Sequence, residues 1–333
     1  MIISRTPFRI SFFGGGTDYP AWYKENGGAV LATTINKYCY LTCRYLPPFF
    51  EYRSRIVWSR IEHVQDVSQI EHPAVRELLT PMGIDDGLEI HHDGDLPARS
   101  GLGSSSSFVV GLLHALYALK GEMRSKSQLA LEAINFEQNR LQENIGSQDQ
   151  VSVACGGLNR IDFGGPEEFH VSTLILPEER LRMLEDHLML FYTGIARNAS
   201  EIAGEQIRVT THIRRELTEM YDMVAEGANI LGGNGDISDF GRLLDESWQL
   251  KRSLTDLITT PLVDDIYEKA KSAGAIGGKL LGAGGGGFML FFVPSERHET
   301  VKQALGKLLH VPFRFESSGS QIIYYQPDPH GQL

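Results

Sequence analysis

The stretch that most limits the fold of this chain is PARSGLGSSSSFVVGLLHALYAL, residues 97–119, where a Gly/Ser run passes without a spacer into a continuous apolar segment. A flexible linker is flanked by polar, structureless sequence. Here the serines of SSSSFVVGLLHALYAL (104–119) stand at the front of an apolar body and predict a buried helix. Glycines just ahead of a helix N-terminus present unpaired backbone N–H groups at the positive end of the helix dipole. Serine hydroxyls add donors and can ligate Mg2+. Such a turn suits a polyphosphate; the plainer reading is an ordinary capped helix behind a glycine turn. A Walker A loop is excluded, because no lysine follows these glycines and, at Gly278-Lys279, the upstream position that must be glycine is Ala273 and the next residue is Leu280.

The 333 residues are 42% hydrophobic and 22% charged, enough for a sizeable core in one large or two medium domains. A net charge of -11 argues against nucleic acid or an anionic membrane as main partner, although a local basic pocket still accommodates a small anion. No run approaches the roughly 20 apolar residues of a membrane span. MIISRTPFRISFF lacks the order of a signal peptide, and Cys39, Cys43 and Cys155 fit reduced thiols, so a cytoplasmic protein is expected. The Asn198-Ala199-Ser200 sequon is then a chance match.

RTPFRISFF and residues 29–46 read as strands, the latter as two or as one long bent one. A second helix is expected over 126–144, with Leu129, Ala133, Phe136 and Leu141 on one face. Apolar residues at 213, 217, 220, 224, 228 and 231 predict one long amphipathic helix from Ser200 to Leu231, closed by Gly232-Gly233, its apolar face serving as core or as a homodimer contact. Further helices are expected around 238–255, 262–273 and 296–309, and strands at 187–192, 288–293 and 321–325. The fold class is α+β, with a strand-rich half at 1–185 and a helix-rich half at 186–333.

Three other stretches bear on chemistry. LLGAGGGGFMLFF (280–292) contains a literal G-x-G-x-x-G at Gly282, Gly284 and Gly287, but the strand follows the glycines, the reverse of a dinucleotide fingerprint. Glycines there allow close backbone approach to another loop or to a phosphate. In RTPFRISFFGGGTDYP, three glycines and Thr17-Asp18-Tyr19 leave a strand for a turn, where Asp18 either meets ligand hydroxyls or caps the turn. In NFEQNRLQENIGSQDQVSVACGG, Glu137 and Asp149 are candidates for metal ligand and general base, against solvated helix charge. His91-His92 with Asp93 and Asp95 has no second cluster to make a metal site and reads as an exposed turn.

The order of these signals resembles the GHMP kinases: a strand with Arg9 and a glycine turn, P-x3-G-L-G-S-S, Glu137, Gly-Ser-Gln-Asp-Gln, then KLLGAGGGGF. The resemblance runs from about residue 5 to residue 292 and implies a two-domain GHMP kinase fold, its first half similar to ribosomal protein S5 domain 2. It implies ATP bound over Pro97, Ser100, Gly101, Leu102, Gly103, Ser104, Ser105 and Ser106, with Gly284, Gly285 and Gly286 close by. It further implies Mg2+ on Ser105 and Glu137, Asp149 as the acid that takes the acceptor's proton, and Arg9 near the transferring phosphoryl group. Gly16, Thr17, Asp18 and Tyr19 would face a sugar, because Thr-Asp-Tyr matches galactokinases; these carry Glu-His where this chain has Gly15-Gly16, so more room is expected. The wording TPFRISFFGGGTDYP is similar to the bacterial heptose kinase subgroup, which implies transfer to C1 of D-glycero-D-manno-heptose 7-phosphate. A distal phosphate would need a cation, for which Arg197 stands first and Arg160 and Lys251 follow; Lys279 would serve the nucleotide or loop packing. The alternatives are a C1 kinase of L-fucose, galactose or another sugar, and a non-catalytic sensor, against which Glu137 and Asp149 both stand.

Overall fold

Residues 28–45 form one strand. In the computed structural model, which describes residues 1–84, 87–195, 199–210 and 212–327, β1 (Ile2–Phe13) and β2 (Gly28–Tyr45) pair antiparallel from Ile2 opposite Cys43 to Phe13 opposite Leu31. Register shifts at Pro7/Phe8 and Ser11/Phe13 let the pair bend. Strands β3 (Ser54–Val57), β4 (Ile61–Val64), β5 (Leu88–Gly94), β6 (Leu158–Phe163) and β7 (Phe169–Thr173) extend this first sheet. β5 covers Cys39–Tyr45 of β2, and β6 covers Gly28–Thr33.

The apolar segment after the Gly/Ser run is a helix over Ser104–Leu119 and lies on this sheet. Gly111 in its middle permits the contact: a Cβ there would stand 2.9 Å from Thr6 Oγ1, and the Ser4 hydroxyl donates to the Gly111 carbonyl at 2.8 Å. We number the helices α1 (Pro20–Asn26), α2 (Pro73–Leu79), α3 (Ser104–Leu119), α4 (Lys126–Asn135), α5 (Gln148–Cys155) and α6 (Glu178–His187). The helix expected over 126–144 is regular only to Asn135. A single π turn, Phe136–Arg140, follows, and the chain leaves helical structure at Leu141. Such turns recur at functional sites, and this one carries Glu137.

The second sheet is antiparallel and ordered β11 (Leu309–His310), β8 (Leu188–Tyr192), β10 (Phe288–Phe292), β9 (Gly277–Leu280). Strands β9 and β10 are buried throughout, against helices that include α9 (Ser238–Arg252) and α10 (Pro261–Ser272); α11 (His298–Ala304) follows. The single helix expected over 200–231 is two, α7 (Ala199–Val209) and α8 (Arg214–Gly232). The run Val209-Thr210-Thr211 is β-branched and poor helix material, and Thr210 turns its hydroxyl back onto the Gln206 carbonyl. The apolar stripe of α8 (Leu217, Met220, Val224 and Leu231) is core, and Gly227 packs so closely that a Cβ would lie 2.6 Å from the Phe13 ring.

One continuous core joins both sheets. Phe240 of α9 meets the rings of Phe12 and Phe13 edge-on at 5.3 and 5.1 Å, and the buried Lys279 ammonium donates to the Phe12 carbonyl at 2.6 Å. Past Val311 the chain returns to the first sheet, where β12 (Phe315–Glu316) pairs with β2 and β13 (Gln321–Tyr325) pairs with β1. By strand pairing, then, the second sheet occupies 188–310 and the chain beyond it rejoins the first. No described helix is long and apolar enough to cross a membrane.

Candidate active site

The N-terminus of α3 is uncapped by any side chain, and Gly103 precedes it in the left-handed region (φ 76°). A Cβ at Gly103 would sit 3.1 Å from Arg9 Cγ and 3.5 Å from Asp149 Oδ2, so glycine lets the loop lie directly on that pair. The serines divide their work. Ser104 Oγ accepts from the Arg99 amide at 3.1 Å; Ser105 is exposed; Ser106 is fully buried; Ser107 donates to the Pro7 and Gly103 carbonyls. Leu102 is buried, and its carbonyl accepts from the Arg9 amide at 3.0 Å, which ties the loop to β1.

The late glycines make contact with this loop. A Cβ at Gly101 (φ 83°) would lie 2.5 Å from the Leu281 carbonyl oxygen, and the Phe288 amide donates to the Ser100 carbonyl. Gly284, Gly285 and Gly286 pack on neighbouring backbone: the Gly285 amide donates to the Ile258 carbonyl, and Cβ atoms at the other two would meet Ile258 and Ile195 at 2.8 Å. The run therefore works by close approach to other loops.

Arg9, 3% exposed, grips Asp149 with both arms: Nε donates to Oδ1 at 2.7 Å and Nη2 to Oδ2 at 2.9 Å, while Nη1 donates to the Gly101 carbonyl. Asp149 stands in the first turn of α5 and keeps 14% of its side chain exposed. The start of α5 is fixed by Asp18, whose carbonyl accepts from the Ser147 amide and whose carboxylate accepts from the Gly16 and Gln148 amides. Gly146 leaves the room, since a Cβ there would fall 1.9 Å from Asp18 Oδ2. Burial pushes the Asp18 carboxyl above its ordinary pKa, partly offset by the Gly16 amide and reinforced by nearby Asp149. Tyr19 is buried beside them, its phenol pushed up by burial and by Asp18 and Asp149.

Thr17 is not free within this turn. It is fully buried, donates to the Gly14 and Ala29 carbonyls at 2.8 Å and accepts from the Ala29 amide, so its hydroxyl holds the turn closed. Nor is Gly16 a void: the buried Gln206 of α7 fills it, its Nε2 lying 2.5 Å from where a Cβ would be.

Glu137 is fully buried behind Ser105. Its carboxylate accepts from Ser105 Oγ (3.0 Å), Ser106 Oγ (2.8 Å) and Gln150 Nε2 (2.6 Å). Desolvation raises its pKa to about 7 against the pull of these three donors. An exposed hydroxyl backed by a carboxylate is a hard-oxygen pair of the kind Mg2+ takes together with substrate phosphates. Gln150 stands in the same stretch as Glu137 and Ser106 in the Gly/Ser run, but what makes them its partners is the packing of α3 on α5, which leaves no spacing signal in the sequence.

Other candidates fall elsewhere. Arg160 pairs with Asp162 on β6. His91 and His92 lie on β5, not in an exposed turn: His91 contacts Glu89, His92 meets the Phe108 ring edge-on, and Asp95 accepts from the Tyr38 amide. Among the described residues no group of three or more His, Cys, Asp or Glu gathers to hold a metal. Cys39 and Cys43 are buried in β2 as expected. Lys279 serves packing through Phe12. Lys251 is buried and donates to the Gly282 carbonyl. Arg197 lies outside the described residues.

A helix N-terminus under a glycine loop, with an arginine-held carboxylate at its mouth, defines a phosphoryl-transfer site. The GHMP kinases N terminal domain matches residues 67–157 and the GHMP kinases C terminal domain residues 225–311, and the chain belongs to the GHMP kinases. It is thus an enzyme, a phosphotransferase with ATP as its donor. The chain is similar to a D-glycero-alpha-D-manno-heptose 7-phosphate kinase of Campylobacter jejuni, 27% identical over 317 residues that cover 90% of this chain and 92% of that one. It is 26% identical to a bifunctional fucokinase/GDP-fucose pyrophosphorylase of Arabidopsis thaliana, over 90% of this chain and 30% of that longer protein. Among solved structures, a D-glycero-D-manno-heptose 1-phosphate kinase from Bacteriodes thetaiotaomicron superposes with a TM-score of 0.79 at 25% identity, covering 97% of this chain and all of that one.

Proposed function

We propose that this chain transfers the γ-phosphoryl group of ATP to the anomeric C1 hydroxyl of D-glycero-D-manno-heptose 7-phosphate, giving the 1,7-bisphosphate used for nucleotide-heptose and surface polysaccharide. The observation that carries the kinase chemistry is the two-armed grip of Arg9 on Asp149 at the uncapped start of α3. Similarity to the Campylobacter heptose kinase over nearly both full lengths supports the sugar.

The ATP phosphates lie over residues 97–106, held by the amides at the α3 N-terminus. Ser105 and Glu137 would hold Mg2+, which would supply positive charge against the phosphates. Arg9 holds Asp149 in one rotamer, so the free face of the carboxylate aligns the C1 hydroxyl and takes its proton. The Gly14–Tyr19 turn, braced by Thr17 and Asp18, forms the acceptor wall, with Tyr19 beside the acceptor. Phosphoryl transfer needs positioning and charge neutralisation more than covalent help, and these residues supply both.

An ATP-consumption screen of monosaccharides and their terminal phosphates, with product NMR, tests the reading. Turnover of heptose 7-phosphate at C1 supports it. Turnover only of an unphosphorylated hexose or deoxyhexose, as the fucokinase similarity would suggest, overturns the substrate. Asp149→Asn is expected to lose several orders of magnitude in kcat with ATP binding little changed; comparable activity would remove Asp149 from the base role.

A further inference from the structure

Arg9 brings one positive charge to the centre, and Asp149 cancels it. Its Nε and Nη2 face the carboxylate and its Nη1 faces the Gly101 carbonyl, so three of its five donors are taken and its charge is neutralised by the carboxylate it holds. Lys251 differs. It comes from the last turn of α9, in the other half of the chain, yet the residue is 6% exposed and its ammonium has one hydrogen-bond partner among the described residues, the Gly282 carbonyl. Gly282 in turn rests on the phosphate loop, where a Cβ would lie 2.5 Å from Gly101 Cα. An ammonium has three donors, so two remain. Among the described residues no carboxylate within hydrogen-bond reach compensates it, unlike the half-buried Lys271 and the exposed Lys269, which pair with Asp245 and Asp265. The charged groups that face it come from four elements: Arg9 on β1, Asp18 on the turn after it, Asp149 on α5 and Lys279 on β9. Arg9 and burial push the Lys251 pKa down to about 8, while Asp18 and Asp149 hold it up.

We propose that Lys251 is the second cation of the transfer centre: it binds the phosphoryl group in passage, supplying from the second half of the chain the net positive charge that the Arg9–Asp149 pair lacks. This rests on the kinase reading. A buried cation with spare donors is costly unless an anion joins it, and a transferring phosphoryl group, with charge on three equatorial oxygens, is such an anion.

The experiment compares Lys251→Met and Lys251→Arg with the wild type. Lys251→Met is expected to melt no lower than the wild type, because the buried charge is gone, while kcat falls at least 100-fold and KM for ATP moves less than about threefold. Lys251→Arg is expected to recover at least tenfold of that loss. Wild-type kcat/KM should fall above pH 8 as the ammonium deprotonates, and the fall should vanish in Lys251→Arg. ADP with aluminium fluoride, a mimic of the passing group, should bind Lys251→Met at least tenfold more weakly, with ADP alone unchanged. Retention of more than a third of kcat in Lys251→Met, or equal binding of the mimic, overturns the proposal. A wild type that turns over no acceptor overturns the kinase reading instead, and the mimic still decides Lys251.

Discussion

Removing Asp149 strands Arg9. The pair is buried to 3% and 14% side-chain exposure and joined by two bonds of 2.7 and 2.9 Å, so Asp149→Ala leaves a guanidinium out of water with the Gly101 carbonyl as its main partner. Breaking a buried pair from one side costs about 3–5 kcal/mol, whereas replacing both members with apolar residues is often nearly neutral. Asp149 is the more exposed member and sits in the first turn of a helix, where water and the dipole sustain its charge. Arg9→Leu alone should therefore cost less, about 1–3 kcal/mol for the unsatisfied carboxylate. The double change Arg9→Leu with Asp149→Ala should cost no more than either single one, a coupling of at least about 3 kcal/mol. Denaturant unfolding of the four proteins measures it, while ATP turnover should be lost alike in both singles and the double, as for residues that act as a unit. Additive stabilities, within about 0.5 kcal/mol, would refute the claim that these residues form one buried unit.

Gly101→Ala should raise KM for ATP at least tenfold, because its Cβ meets the Leu281 carbonyl at 2.5 Å from a left-handed backbone; near-wild-type kinetics would show the two loops free to part. Thr17→Val should lower stability by about 1–3 kcal/mol while the acceptor KM moves less than threefold, and a KM rise without a stability loss would place the hydroxyl on the acceptor. Glu137→Gln should raise the Mg2+ concentration for half-maximal rate about tenfold, since the carboxylate charge behind Ser105 is gone, and unchanged metal dependence would make Glu137 a brace alone. Asp18 is held above its unfolded pKa by burial, so its ionised form costs the fold more; stability should fall as pH rises from near 3.8, and Asp18→Asn should flatten that part of the melting-temperature profile.

Features written in neighbouring residues were legible without the fold. The serines and apolar body of 104–119 make α3, the alternation of 29–46 makes β2, and glycine at 101 and 103 permits the left-handed turn between them. Order along the chain also set Arg9, Glu137 and Asp149 apart as one family's signature. Periodicity nonetheless misjudged continuity, because a stripe of period 3.6 passes unbroken over 200–231 while α7 ends at Val209 and α8 starts at Arg214. It also ran a regular helix through the π turn that carries Glu137, where one inserted residue leaves the composition unchanged.

What a side chain does depends on what it meets, and that came from packing. Thr17 and Asp18 look alike as polar turn residues, yet one closes the turn on Ala29 and the other fixes the start of α5. Ser105 and Ser106 are adjacent in a run of four, and only the lie of α3 against α5 brings Glu137 and Gln150 behind them. The sequence by itself determined which local pieces form and which residues have the chemistry for phosphoryl transfer, since propensity, glycine conformation and side-chain type are properties of short stretches. The tertiary structure alone decided that the Arg9 charge is cancelled, that the late glycines clasp the phosphate loop, and that Lys251 arrives beside them from α9. Burial and electrostatic neighbourhood are set by how two sheets close on one another, and no spacing along the chain encodes that distance.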